Sequence, residues 1–147
     1  MITQVIYTDG ACTNNGKVGA KGGYGVWFGH NDHRNISAKL EGTRQTNNRA
    51  EMTAVIVAIQ MSNVDSNVEI RTDSMYTINT AKWMVGWKRK GWKNASNKTP
   101  ENLDLVMQLY DLMHKRQHSI VYTYVKGHFG IEGNEEADRL ASLGAEL

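Results

Sequence analysis

Hydrophobic and polar positions along the chain change their spacing several times, and each change marks an element. Strict alternation at the start predicts a strand that ends at Asp9, and two short apolar runs follow after turns. Small apolar residues then recur at helical spacing from Asn47, the expected N-cap of a long helix. The predicted order is strands at 2–9, 24–28 and 35–41, a helix at 47–61, a strand at 68–72, a helix at 74–85, a helix opening at 99–101, a strand at 119–125 and a helix at 134–143.

This order of elements predicts an α/β fold. Short turns between the first three strands favour antiparallel pairing, and the strand, helix and strand around 47–61 favour a parallel crossover. The sequence contains no internal repeat or interdomain linker, so we expect a single domain over 1–147. The helix that opens at 99–101 has an expected core stripe of Leu103, Val106, Met107, Tyr110 and Met113.

Composition and length narrow the class of protein. The chain has 147 residues, of which 40% are hydrophobic and 22% charged, values typical of a soluble globular domain. Its single cysteine, Cys12, cannot form an internal disulfide, and no apolar run approaches the roughly 20 residues of a membrane span. The N-terminus carries no signal-peptide pattern. We therefore expect a cytoplasmic protein without membrane association, and we expect it to act as a monomer.

The net charge of +2 hides a strong asymmetry. The segment 82–98, here called the basic segment, has six basic and no acidic residues, which leaves 11 basic against 15 acidic residues elsewhere. Such a distribution is typical of a protein that docks one projection on a polyanion. Tryptophans recur in this segment at positions 83, 87 and 92, where they serve either as core anchors or as contacts to nucleic acid.

Three carboxylates occupy positions that suggest a shared site. Asp9 and Asp73 end two strands predicted to be parallel neighbours, and ligands bind at the carboxyl ends of such strands. Glu51 lies on the helix face that turns towards the sheet. Clustered carboxylates repel one another unless a cation neutralises them, and oxygen ligands favour Mg²⁺ or Mn²⁺. For any one of these residues alone, a turn, a helix cap or the helix dipole is the better explanation, and it is the convergence of all three on one sheet edge that favours a shared site.

Local strings make the interpretation more specific. YTDGAC at 7–12, TNNRAE at 46–51, TDS at 72–74, and KGH at 126–128 with NEEAD at 134–138 closely resemble ribonuclease H of type 1, in the same order. The resemblance extends over essentially the whole chain. It implies a ribonuclease H-like fold, a five-stranded mixed sheet of three antiparallel and then parallel strands flanked by helices. It also implies an endoribonuclease that hydrolyses the RNA strand of RNA/DNA hybrids, leaving 3′-hydroxyl and 5′-phosphate ends.

The resemblance further implies a catalytic set. It adds Asp138 as a fourth acid, and it implies two Mg²⁺ ions, for which Mn²⁺ can substitute. Asp9 would bridge both ions, Glu51 and Asp73 would complete one site, and Asp138 the other, so that an in-line displacement is clamped on both sides. His128 resembles the mobile histidine of the family, which is assigned to proton transfer or to product release.

The same resemblance assigns the substrate contacts. The 2′-hydroxyl of RNA distinguishes a hybrid from a DNA duplex, so minor-groove contacts must read it. Asparagine-rich strings are otherwise explained by turns and helix caps. The implied contacts are Cys12, Asn14, Asn15, Asn47, Asn48 and Asn79 in the minor groove, Arg44, Thr46 and Asn102 at a DNA phosphate, Trp83 against the DNA strand, and Lys88, Arg89 and Lys90 facing the polyanion.

Other functions stay open from the sequence. A transposase, integrase or junction resolvase also uses clustered acids, and a hybrid-binding module without catalysis would keep the same surface. A third alternative is the ribonuclease domain of a reverse transcriptase. The start at Met1 and the intact basic segment favour a free-standing enzyme without an additional N-terminal hybrid-binding domain.

Overall fold

The computed structural model describes residues 3–127 and 129–147, and within them a mixed sheet is flanked by helices. The sheet has five strands in the order β3-β2-β1-β4-β5 among these residues, which confirms the predicted fold class. The strands are β1 (Thr3–Thr13), β2 (Lys21–Trp27), β3 (Ile36–Lys39), β4 (Asn67–Thr72) and β5 (Ile120–Tyr124), and the helices are α1 (Asn47–Met61), α2 (Met75–Arg89), α3 (Leu103–His114) and α4 (Glu132–Ala145).

The central strand β1 changes its pairing along its length. It pairs parallel with β4 up to Tyr7, which lies opposite Arg71, and antiparallel with β2 from Tyr7 to Thr13. The prediction that this strand ends at Asp9 is therefore wrong, because β2 supplies a partner for the additional residues. Asp9 instead lies two residues beyond Tyr7, the last residue of β1 that pairs with β4.

The main core lies between the sheet and the first three helices. Side chains of β1 and β4 that face α1 are fully buried, among them Ile6 and Ile70, and Met52 and Val55 of α1 cover them. Helices α2 and α3 extend this core. Buried apolar area of this kind is the main stabilising contribution in a domain of this size.

The fourth helix covers the opposite face of the sheet. It contacts β1, β2 and β3, and it approaches β2 closely because β2 has glycine where the two elements meet. A Cβ atom added at Gly25 would lie only 2.7 Å from the backbone nitrogen of Ala141. Since Gly25 pairs with Asp9, this close approach brings the middle of α4 beside the acidic residue of β1.

Several predicted boundaries differ from the structure for local reasons. Thr46, not Asn47, caps α1, because its backbone is extended and its Oγ1 accepts a hydrogen bond from the Arg49 nitrogen at 3.2 Å. The helix α2 continues beyond residue 85 to Arg89, so half of the basic segment is helical. The helix α4 begins two residues earlier than predicted, at Glu132.

The third helix shows a larger departure. It begins at Leu103 instead of 99–101, because Asn102 has a left-handed backbone with φ of 57°. Met107, predicted to lie in the core, is 41% exposed, and Leu109 is fully buried instead. Among the described residues, none of the helices is long and apolar enough to cross a membrane.

Candidate active site

Four acidic side chains meet in one cleft at the point where β1 and β4 separate. Asp9, Glu51 and Asp73 each offer a carboxylate oxygen, and these atoms lie within 4.8 Å of one another. Asp138 of α4 lines the same cleft, which has a volume of about 390 Å³, and it is among the groups that raise the pKa of Asp9, after burial and the neighbouring Glu51 and Asp73. The structure therefore brings all four predicted acids together.

Each acid is placed by a different element. Asp9 lies within β1, Asp73 follows the last residue of β4, and Glu51 lies in the second turn of α1. Gly10 permits the approach of α1 to β1, because a Cβ atom there would lie 2.7 Å from the carbonyl carbon of Ala50. The backbone nitrogen of Gly10 also donates to Asp9 Oδ1 at 2.9 Å, which fixes one oxygen of that carboxyl group.

Burial and mutual repulsion make full ionisation of this cluster costly. Asp9 is 3% exposed and Glu51 is 5% exposed. Burial, followed by the negative charges of Glu51 and Asp73, raises the pKa of Asp9 well above its ordinary value of 3.8. Burial also raises the pKa of Glu51, and the negative charges of Asp73 and Asp138 add to this increase. Asp9 and Glu51 therefore need either protons or a nearby cation at neutral pH.

The donor atoms fit a divalent metal ion. Within the described part of the chain, the buried Oε2 atom of Glu51 has no hydrogen-bond partner, although a buried carboxylate oxygen normally has one. All the converging side-chain ligands are carboxylate oxygens, the ligand type that Mg²⁺ and Mn²⁺ prefer. Asp9, Glu51, Asp73 and Asp138 are thus the residues that could hold such an ion.

Amide side chains form the rim of the cleft on the side of α1. Asn47 and Asn48 line it directly. Asn15 Oδ1 accepts a hydrogen bond from the Asn47 nitrogen at 3.0 Å, which ties the turn after β1 to the start of α1. In the same region, the Cys12 thiol lies 3.5 Å from the Gln45 carbonyl oxygen. Four of the predicted minor-groove contacts therefore group around the start of α1, namely Cys12, Asn15, Asn47 and Asn48, and Asn14 precedes Asn15 in the turn after β1.

The loop after β5 borders the acidic cleft at Asp73, and another predicted contact lies on α2. Asn79 is half-buried in α2. Gly127 packs against Asp73, since a Cβ atom there would lie 2.7 Å from Asp73 Oδ2. His128 lies outside the described residues, so its role stays a prediction. Its neighbour Phe129 is 66% exposed, and the Lys126 Nζ atom lies 4.4 Å from the Phe129 ring centroid.

The predicted phosphate-binding residues surround an arginine that the sequence analysis missed. Arg49 is buried, donates to Asn102 Oδ1 at 3.2 Å and binds both oxygens of Asp104 at 3.0 and 2.7 Å. Thr46 accepts from its backbone nitrogen. Arg44 lies farther out, with its Nη2 atom 3.5 Å from Asp104. Arg49 is therefore the hub of this group.

Both the sequence position of Arg49 and its effect on Asp104 identify it as the centre of this group. Arg49 precedes Met52 by three residues and therefore shares a buried helix face, where a charge needs a partner. The Arg49 guanidinium holds the pKa of Asp104 down to about 2, chiefly through their hydrogen bonds. Asn102 in turn donates to the Tyr76 hydroxyl at 2.9 Å, and Tyr76 lines the acidic cleft. This hydrogen bond links the predicted phosphate site to a residue that lines the acidic cleft.

The basic segment divides into two sides. Trp83, Trp87 and Lys90 line a depression of about 570 Å³ together with Asn94. The indole rings of Trp83 and Trp87 have centroids 6.4 Å apart, and Trp83 is 52% exposed. Lys88 lies elsewhere, with its Nζ atom 4.4 Å from the centroid of the Tyr110 ring. Arg89, the last residue of α2, is exposed.

Comparison with known proteins agrees with this geometry. The sequence profile of the RNase H family matches residues 2–146. The ribonuclease H of Schizosaccharomyces pombe is 46% identical over 143 residues, which span 97% of this chain and 53% of that protein. The ribonuclease H of Ruthia magnifica is 41% identical, over 95% of this chain and 92% of that protein. The crystal structure of LC9-RNase H1, a type 1 RNase H with the type 2 active-site motif, has a TM-score of 0.73 and 27% identity, and covers 99% of this chain and 74% of that chain.

The chain therefore belongs to the RNase H family, and its resemblance to the type 1 members is confirmed. It spans about half the length of some of the curated relatives it matches, including the Schizosaccharomyces pombe protein and the mouse ribonuclease H1.

Proposed function

We propose that this protein is a metal-dependent endoribonuclease that hydrolyses the RNA strand of RNA/DNA hybrids. The observation that carries the proposal is the convergence of four carboxylates from β1, α1, α4 and the end of β4 on one cleft. Membership in the RNase H family supports the same reaction. The asparagine rim beside the acids and the basic segment supply the surfaces that a duplex substrate requires.

The acids would hold two Mg²⁺ ions, and Mn²⁺ is expected to substitute. Asp9 would contribute to both positions, Glu51 and Asp73 to one, and Asp138 to the other. When bound, such ions supply an activated water and stabilisation of the leaving 3′ oxygen. Cleavage then leaves 3′-hydroxyl and 5′-phosphate ends. We propose that His128 moves a proton or assists product departure.

Selection of the hybrid would rest on the rim. Amide groups both donate and accept hydrogen bonds, so Asn47 and Asn48 suit a sugar with a 2′-hydroxyl in a wide minor groove. Asn14, Asn15, Asn79 and Cys12 would extend this contact. Arg44, Thr46 and Asn102 would bind a phosphate of the DNA strand. Such contacts go to sugar and phosphate, so weak sequence preference is expected.

The basic segment would hold the DNA strand at a distance from the cleft. Trp83 would lie against the DNA strand, and Arg89 and Lys90 would provide positive charge near the phosphates, to which Lys88 would add from its position beside Tyr110. We also propose that the chain forms a single domain and acts as a monomer. A cytoplasmic location is proposed from the single cysteine, which cannot form an internal disulfide.

The proposal is tested with four labelled duplexes of one sequence: RNA/DNA, RNA/RNA, DNA/DNA and DNA with one ribonucleotide. Each is incubated with the protein and either Mg²⁺ or EDTA, and Asp9→Asn serves as the control. We expect metal-dependent cleavage of the RNA strand of the hybrid only. Cleavage of DNA/DNA would instead indicate a resolvase or an integrase, and hybrid binding without cleavage would indicate an inactive binding module.

A further inference from the structure

The Tyr110 ring on α3 is the centre of a cluster that joins the basic segment to the rest of the molecule. Lys88 Nζ lies 4.4 Å from its centroid, and the Trp92 ring meets it edge to face at a centroid distance of 5.7 Å. His114, one turn along α3, stacks on the ring at 3.8 Å. Tyr110 thus contacts both the helical and the loop part of the basic segment.

The chain between these two contacts has a defined shape. After α2 ends at Arg89, Gly91 and Trp92 both have left-handed backbones, with φ of 68° and 63°, and they reverse the chain direction. The Trp92 nitrogen donates to the Trp87 carbonyl oxygen at 2.7 Å, which closes this reversal. The reversal therefore directs the Trp92 ring back towards α3.

The loop that follows is also closed by its own hydrogen bonds. The Asn94 nitrogen donates to the Lys98 carbonyl oxygen at 2.8 Å, and Asn94 Oδ1 accepts from the Lys98 nitrogen at 3.0 Å. The basic segment is therefore a folded unit, whose orientation depends on how it is attached to the body of the protein.

Attachment through Lys88 determines what the segment presents. Trp83 and Trp87 lie four residues apart on α2, Lys90 is the C-cap residue three positions further on, and all three line the same depression. Lys88 lies on a different face, against Tyr110. Because the tyrosine ring contacts both Lys88 and Trp92, it holds the end of α2 and the following loop together, and with them the depression lined by Trp83 and Lys90.

We propose that Tyr110 is a positioning residue for nucleic-acid binding. Its ring attracts the Lys88 ammonium through a cation–π contact and packs against Trp92. It thereby fixes the direction in which the basic segment presents Trp83 and Lys90, without touching the substrate itself. The inference rests on the proposed function, because it assumes that a hybrid is the ligand of that surface.

The test compares Tyr110→Leu with Tyr110→Phe in steady-state cleavage of the RNA/DNA hybrid. Leucine keeps apolar volume but removes the ring face, so KM should rise about fivefold while kcat changes less than about twofold. Phenylalanine keeps the face and should restore the KM of the unmodified protein. Leu112→Ala, a change on the same helix that packs into the core, is the matched control for general destabilisation.

Three results would overturn the inference. They are an unchanged KM in Tyr110→Leu with an unchanged melting temperature, a loss confined to kcat, or a Leu112→Ala variant that raises KM to the same extent. Affinity for the same hybrid, measured in EDTA by fluorescence anisotropy, gives an independent readout. If the unmodified protein binds but does not cleave the hybrid, the proposed function fails while the affinities still test the role of Tyr110.

Discussion

The acidic cleft and the basic segment both collect charges of one sign, but the charges of the cleft are buried or half-buried and those of the basic segment are mostly exposed. In the cleft, carboxylates of the same charge are buried together, and burial raises the pKa of Asp9 and Glu51. In the basic segment, six positive residues lie on a helix end and a loop, and Arg89 and Lys90 are exposed to solvent. The cleft needs a cation to become fully charged, whereas the basic segment needs only a polyanion within reach.

We therefore expect the cleft to determine the rate of the chemical step and the basic segment to determine the affinity for the substrate. Groups in the cleft are fixed by the sheet, by α1 and by α4, so small displacements there change reactivity. Charges of the basic segment are screened by salt and act over longer distances, so they affect affinity more than the chemical step. Changes in the two regions should therefore produce different kinetic signatures.

The largest effect is expected from Asp9→Asn. The change removes a charge from the centre of the cluster while nearly keeping the side-chain shape, so kcat should fall at least about 1,000-fold. Without metal the variant should be at least as stable as the unmodified protein, because repulsion with Glu51 and Asp73 is relieved. Hybrid cleavage and thermal unfolding in EDTA measure both effects. Retained Mg²⁺-dependent cleavage would exclude this role for Asp9.

A smaller, salt-dependent effect is expected from the double change Arg89→Gln and Lys90→Gln. Loss of two phosphate contacts should weaken hybrid affinity about tenfold at moderate salt and flatten the dependence of log Kd on log salt by about 1.5. The kcat value should stay near that of the unmodified protein. Lys39→Gln with Lys115→Gln changes the net charge equally outside the basic segment, and an equal loss in that control would contradict a specific contact.

The pH dependence of stability should reveal the acidic cluster without any substrate. A carboxyl whose pKa is raised on folding stabilises the protein below its ordinary pKa, and this contribution is lost as pH rises. In EDTA, the stability that Asp9 and Glu51 contribute should therefore decline upward from their ordinary pKa values of 3.8 and 4.5. Mg²⁺ should offset the decline.

Melting temperatures between pH 4 and pH 8 check this expectation, with Asp9→Asn as the reference. The difference between the unmodified protein and the variant should grow in favour of the variant as pH rises in EDTA, and it should shrink when Mg²⁺ is present. A difference that does not change with pH would contradict a raised pKa of Asp9 in the folded protein.

The smallest effect is expected from Asp104→Asn. Because the Asp104 side chain is 51% exposed, its ion pair with Arg49 should contribute only about 1 kcal/mol to the free energy of unfolding at neutral pH. The pKa of Asp104 is lowered to about 2 from an ordinary value of 3.8, so this contribution is present above pH 3.8 and disappears as pH falls towards 2. Urea unfolding at several pH values measures it, and a constant difference down to pH 2 would contradict the ion pair.

Sequence patterns predicted the order of all the strands and helices among the described residues, because alternation and helical spacing are local properties. They failed where a neighbour decides the boundary. β1 continues past Asp9 because β2 pairs with it, and Asn102 adopts a left-handed backbone that delays the start of α3. These boundaries depend on long-range pairing and on a single backbone conformation, which local spacing does not reveal.

The candidate site was predictable to a similar degree. The predicted ends of two parallel strands indicated that Asp9 lies beside Asp73, but residue spacing alone did not distinguish Asp138 from the other acids near it in the sequence. Asp138 lines the cleft because α4 packs closely on Gly25. Tyr110 was predicted as a member of an apolar stripe, and its contact with Lys88 depends on the reversal of the chain after α2.

The central claim is that the acidic cleft carries out the cleavage and that the basic segment contributes to substrate affinity. The most direct test is single-turnover cleavage of one labelled RNA/DNA hybrid, at saturating protein, by the unmodified protein, by Asp9→Asn and by the Arg89→Gln, Lys90→Gln variant. We predict that Asp9→Asn binds the hybrid but does not cleave it, and that the double variant cleaves at the unmodified rate once saturated. A double variant that stays slow at saturation, or an Asp9→Asn variant that cleaves, would contradict this division.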